Sequence, residues 1–109
     1  MTRAVVVRYE THPEHADGNQ ALVEKVFAQL HAERPEGISY ACFRLAGEAG
    51  GSRFVHVAVM AEGSPGLTAL SAFRGFLADL DERVTAPPES AAATLVGAYG
   101  SAAGVSGGM

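Results

Sequence analysis

Residues 52–61, SRFVHVAVMA, carry apolar side chains on both alternating rows. Val55, Val57 and Val59 make one row; Phe54, Ala58 and Met60 surround His56 on the other. Successive strand residues point to opposite faces, so this strand belongs to a sheet covered on both sides. Two helical stripes supply one cover. Leu22, Val23, Val26, Phe27 and Leu30 fall within about 140° of a helical wheel. Asp17 is expected as the N-cap of that helix, with Gln20 closing a capping box, and Pro35 and Gly37 end it. Ala69, Leu70, Phe73, Phe76, Leu77, Leu80 and Val84 lie within about 120° and predict a second helix over 67–83.

The remaining strands read as 4–10 (AVVVRYE), stopped by His12-Pro13, then 38–46 (ISYACFRLA) and a weaker last strand over 90–99 (SAAATLVGAY). Gly47 to Gly51 supply a hairpin turn between 38–46 and 52–61. The order β-α-β-β-α-β is the ferredoxin-like α+β arrangement, a four-stranded antiparallel sheet with both helices on one face. At 109 residues the chain makes one domain, 1–100, and 101–109 reads as a disordered tail.

Eight Lys and Arg against twelve Asp and Glu give a net charge of −4, which leaves no basic field for nucleic acid or an anionic membrane. The single cysteine, Cys42, closes no internal disulfide. No apolar run approaches the ~20 residues of a membrane helix. MTRAVVVRYE lacks a signal-peptide cleavage site, so a cytoplasmic location is expected.

A turn centred on Gly47 to Gly51 sets Tyr40 opposite Ala58, Cys42 opposite His56 and Arg44 opposite Phe54. The valine row suits the helix-covered core. Tyr40, Cys42, Arg44, Phe54, His56 and Met60, with Val6 and Arg8 by extension, are then expected on the face without helices. Such a face is too apolar to stand in water. A second sheet from an identical chain is the economical cover, enclosing a cavity ringed by Arg8, Tyr40, Cys42, Arg44 and His56.

VVVRYE with its proline turn, ALVEKVFAQLHAERPEG leading into ISYACFRL, FVHVAV and SPGLTALSAFRGFLADL together resemble the antibiotic biosynthesis monooxygenase family of dimeric α+β barrels. The resemblance spans about residues 3–99. It implies a homodimer and a cofactor-independent monooxygenase acting on a small aromatic, a polycyclic phenol or anthrone-like compound. Haem-degrading relatives need a histidine on the second helix, and 67–83 has none.

Within that reading His56 is the candidate base, since an imidazole titrates near neutral pH; the alternative is a core histidine with its hydrogen bonds satisfied. Arg8 and Arg44 would supply positive charge for an anionic substrate or developing oxyanion, or else pair with carboxylates at the rim. Tyr40, Cys42, Phe54 and Met60 would line the ligand. A Cys42–His56 nucleophile lacks a third orienting acid, and core packing explains Cys42 as well. His12 and His15, beside Glu10, Glu14 and Asp17, read as a solvated turn rather than a metal site. The rival for the whole chain is a non-catalytic small-molecule-binding or interaction barrel.

Overall fold

The computed structural model describes residues 2–100; the tail expected over 101–109 lies outside the described residues. Strand β1 (Arg3–Thr11) runs through a single turn of 3-10 helix at Pro13–His15 into helix α1 (Ala16–Glu33). Strands β2 (Ile38–Ala46) and β3 (Ser52–Met60) form the hairpin. A turn at Leu67–Ala69 precedes helix α2 (Ser71–Ala78), one-turn helix α3 (Leu80–Arg83) and strand β4 (Glu89–Ala93). The sheet order is β2-β3-β1-β4, and every pairing is antiparallel. This is the ferredoxin-like fold that the order of elements predicts.

The hairpin register is the expected one, with Tyr40 opposite Ala58, Cys42 opposite His56 and Arg44 opposite Phe54. Gly51 is required at its base, because a Cβ there would collide with the Thr11 carbonyl oxygen. On α1, Val23 and Val26 are buried, and Leu22, Phe27 and Leu30 pack against the core beside them.

The two faces of the sheet are the reverse of those expected. Phe54, His56, Ala58 and Met60 are all buried, Phe54 to 1% exposure, and they pack under the helices. Val55, Val57 and Val59 are only part-buried and lie on the face without helices. With both rows apolar, alternation separates them without ranking them. Depth decides: the space between sheet and helices takes the long Phe54 and Met60, while short β-branched side chains lie flat on the open face. On β1 the expected side holds for Val6 and Arg8, which face Val57 and Val55 on the helix-free side, but it separates them from His56 and Phe54, whose partners are Val7 and Tyr9.

Three smaller expectations also change. The capping box does not form: His15 occupies the N-cap without a side-chain bond, and the Asp17 carboxylate instead accepts from Arg44 Nη1 at 3.1 Å. The helix over 67–83 breaks twice, at extended Leu70 and at Asp79. The second break frees the Phe76 carbonyl, which Arg83 Nη2 then occupies at 2.6 Å; the last carbonyls of a helix need such a donor. Strand β4 ends at Ala93 rather than residue 99. Beyond it Val96 and Tyr99 are 98% and 96% exposed; Ala93 already pairs with Ala4, one residue from the start of β1, so the ladder has little strand left to follow.

Candidate functional site

A cavity of about 310 Å³ lies between the helix-covered face of the sheet and the segment from Pro65 to Leu80. That is the lower end of the range for small-molecule sites. Val5, Val7, Ala58, Leu67, Phe73 and Phe76 give it an apolar wall. Its polar side chains are few: Tyr9, Tyr40 and His56 together, with Arg3 and Thr68 elsewhere on its wall.

His56 is 6% exposed and held on both sides. Its Nε2 lies 2.7 Å from the Tyr9 hydroxyl and its Nδ1 lies 2.6 Å from the Tyr40 hydroxyl. Behind Tyr9 the chain continues. Asn19 Nδ2 donates to the Tyr9 oxygen at 2.9 Å, and Arg83 Nε donates to Asn19 Oδ1 at 2.9 Å. Asn19 comes from the first turns of α1, where it is fully buried. Arg83 is buried too, with its guanidinium over the Phe76 ring.

Chemistry fixes the direction of this chain. A guanidinium only donates, so Asn19 must present its oxygen to Arg83 and its NH₂ to Tyr9. The Tyr9 oxygen therefore accepts, and the available partner for its own proton is His56 Nε2. A neutral imidazole has one donor and one acceptor. Nδ1 then carries the hydrogen and gives it to Tyr40. Tyr40 has its oxygen occupied and its own proton left to turn into the cavity it lines. Cys42 Sγ, at 3.6 Å from Nε2, competes poorly for that lone pair with a phenol at 2.7 Å.

Burial governs the titrations here. It pulls the His56 imidazole down to about 4, so the ring is neutral at physiological pH. It pushes the Tyr9 phenol up, against the Asn19 hydrogen bond and the Arg83 charge, which pull the other way. It pushes the Tyr40 phenol up as well. Burial also raises the Cys42 thiol to about 11, which keeps it protonated and unsuited to nucleophilic attack.

Of the residues singled out from sequence, His56, Tyr40 and Met60 line the cavity together. Cys42, Arg44 and Phe54 share their face but do not line it. Phe54 stacks on Tyr9 with ring centroids 5.5 Å apart. Arg44 is held by Ser52, Asp17 and Gln20 over the Phe54 ring. Arg8 is on the opposite face, 3.0 Å from Glu89. Sequence reasoning missed Tyr9, Asn19, Arg83 and Arg3. A signal existed for Arg83, a cation at the edge of the apolar stripe, next in the chain to Val84. Among the described residues no cluster of three or more His, Cys, Asp or Glu is placed to hold a metal, and His12 and His15 sit on the 3-10 turn after β1.

Solved structures share this architecture. A provisionally named antibiotic biosynthesis monooxygenase from Caulobacter crescentus superposes with a TM-score of 0.64 at 17% identity, over 88% of this chain and 91% of its own. SnoaB, a cofactor-independent oxygenase from Streptomyces nogalater, gives 0.61 at 17% identity over 88% and 94%. Rv0793 from Mycobacterium tuberculosis gives 0.64 at 17% identity over 89% and 97%. No sequence-family profile and no curated sequence matches the chain.

Proposed function

We propose that this chain is a cofactor-independent monooxygenase acting on a small phenolic or anthrone-like aromatic bound in the cavity over Tyr40 and His56. The observation that carries the reading is the directed chain Arg83–Asn19–Tyr9–His56–Tyr40, which ends as a hydroxyl donor at the floor of an apolar cavity. The fold shared with SnoaB and with proteins named for antibiotic biosynthesis oxygenation supports it.

Both imidazole nitrogens are engaged by phenols, which favours a supporting role for His56 over the direct base expected from sequence. Tyr40 meets the substrate oxygen, and its hydrogen bond stabilises the charge that gathers there as the ring system loses a proton to solvent water, which returns one when the peroxide forms. A donor aimed at developing charge in a dry site is worth several kcal/mol. The resulting anion is electron-rich enough to reduce O₂ itself. One electron passes to O₂, the radical pair closes a C–O bond, and the hydroperoxide loses water. The reacting methylene gives up two hydrogens and becomes a carbonyl; one oxygen atom enters the product and the other leaves in water.

The same reading makes the protein a cytoplasmic homodimer. The helix-free face carries the valine row together with Phe43 and Leu45, 54% and 50% exposed, and a second copy would cover it. No helix among the described residues is long and apolar enough to cross a membrane.

Protein stripped of metal and flavin should consume O₂ with anthrone and form anthraquinone in equal amount. Tyr40→Phe should lower the rate roughly 10²–10³-fold, and His56→Ala, which removes the partner that orients the Tyr40 hydroxyl, by no more than that. Unchanged turnover in both variants would refute the assignment. Binding of anthraquinone without any turnover of anthrone would select the non-catalytic binding barrel, which the full occupation of both imidazole nitrogens favours.

A further inference from the structure

Strand register lays the floor of the cavity out as a grid. On β3 the inward row runs Phe54, His56, Ala58 and Met60, and Ala58 stands between Tyr40 of β2 and Val5 of β1. Directly opposed residues hold their Cβ atoms about 5 Å apart; His56 and Met60 lie about 7 Å from Ala58 along the strand. Of the strand residues that line the cavity, Ala58 has the shortest side chain. Its larger neighbour is not free to close the gap. Tyr40 is tied at its tip to His56 Nδ1 at 2.6 Å, and its ring is stacked on Phe27 with centroids 4.9 Å apart.

Strand chemistry alone would not favour alanine here. β3 is an inner strand, between β2 and β1, where β-branched and aromatic residues pack best and alanine is depleted. Filling a void beside buried apolar side chains ordinarily adds stability. A short side chain on the floor of an apolar cavity, next to the hydroxyl donor, leaves that stability unused and leaves room for a bound molecule instead.

We propose that Ala58 is a specificity-determining residue, whose single methyl leaves the room that a ligand oxygen flanked by bulk on both sides needs to reach the Tyr40 hydroxyl. The proposal rests on the reading of this cavity as the ligand site and of Tyr40 as the group that meets the ligand's oxygen. With the oxygen at Tyr40, one flank lies over Ala58 and the other over Val7, the β1 partner of His56. A larger residue at 58 takes the place of the first flank and admits only ligands that are narrow on that side.

Equilibrium binding of two ketones, followed by ligand-observed NMR, tests this. The carbonyl of 9-fluorenone has a fused ring on each side; that of 1-indanone has one. Ala58→Val should weaken 9-fluorenone about 10–100-fold and 1-indanone less than about threefold, the scale on which a hydrophobic pocket rejects one or two extra carbons. The same variant should unfold in urea at the wild-type midpoint or above it, because it fills a void rather than crowding a packed core. A lowered midpoint means that protein already occupies the space over Ala58, and overturns the proposal. So does an unchanged ratio of the two affinities in folded Ala58→Val protein, or a wild type that binds neither ketone. The two proposals fail separately. A ratio that depends on residue 58 without O₂ consumption from anthrone leaves Ala58 in its role and removes the oxygenase; anthrone turnover with an unchanged ratio does the reverse.

Discussion

Lowering the pH should destabilise this protein through His56 in particular. The imidazole is 6% exposed, and burial holds it at about 4 in the folded chain, against 6.5 as its ordinary value. Between those values the unfolded chain binds a proton that the folded chain refuses. Stability therefore rises with pH across this window, and is lost as the pH falls from 6.5 towards 4. Moving from pH 7.5 to pH 4.5 should remove roughly 2–3 kcal/mol on this account. That is a large share of the 5–15 kcal/mol of an ordinary domain. The measurement is a urea melt at both pH values for the wild type and for His56→Asn, which cannot titrate there. The variant starts from a lower stability, and only its change with pH matters. The wild type should lose 2–3 kcal/mol more than the variant over the same interval, since the other titrating groups are common to both. Equal losses would mean that His56 ionises freely, and the closed Tyr9–His56–Tyr40 arrangement would be wrong. The imidazole proton resonance offers an independent check, with a midpoint near 4 rather than 6.5 expected.

Other perturbations probe the layers around the site. Phe54→Ala should cost about 3–5 kcal/mol in denaturant melts, because this ring is 1% exposed beneath the helices; a loss below about 1 kcal/mol would restore it to the open face. Phe43→Asp puts a carboxylate on the helix-free face where Phe43 is 54% exposed, and light scattering should show the dimer shifting to monomer. A wild-type protein that scatters as a monomer at micromolar concentration would dispose of the dimer.

The parts of the fold legible in the sequence are those that local rules determine. The stripe from Leu22 to Leu30 has one apolar side, and α1 forms with that side inward. The glycines between β2 and β3 set the turn length, and with it the partners of Tyr40, Cys42 and Arg44. The choice between two apolar rows of β3 is not local. It depends on which row fills the depth under the helices, and on polar partners from elsewhere in the chain. Tyr9 reaches His56 across 47 residues, and Arg83 reaches Asn19 across 64. Once His56 is known to face the helices, β1 pairing brings Tyr9 to it; without that register Tyr9 reads as one more aromatic after VVVR.

Burial and hydrogen-bond direction in this site are two consequences of one arrangement. Protonating His56 would turn Nε2 into a donor facing the Tyr9 hydroxyl, whose oxygen already accepts from Asn19. Tyr9 would have to accept twice and find another acceptor for its own proton, and a buried donor without a partner costs about 1–3 kcal/mol. Desolvation and this geometric conflict both oppose the imidazolium. The Arg83 charge, set behind Asn19 rather than beside the ring, adds a cation to the same neighbourhood without offering His56 a counter-ion. A carboxylate in place of Asn19 would invert all of this: it would pair with Arg83, withdraw the N–H from Tyr9, and free the phenol oxygen to accept from a protonated ring. The neutral amide between a buried arginine and a buried tyrosine thus adds to the desolvation that keeps the imidazole uncharged, and it sets the hydrogen-bond direction that leaves the Tyr40 proton for the cavity.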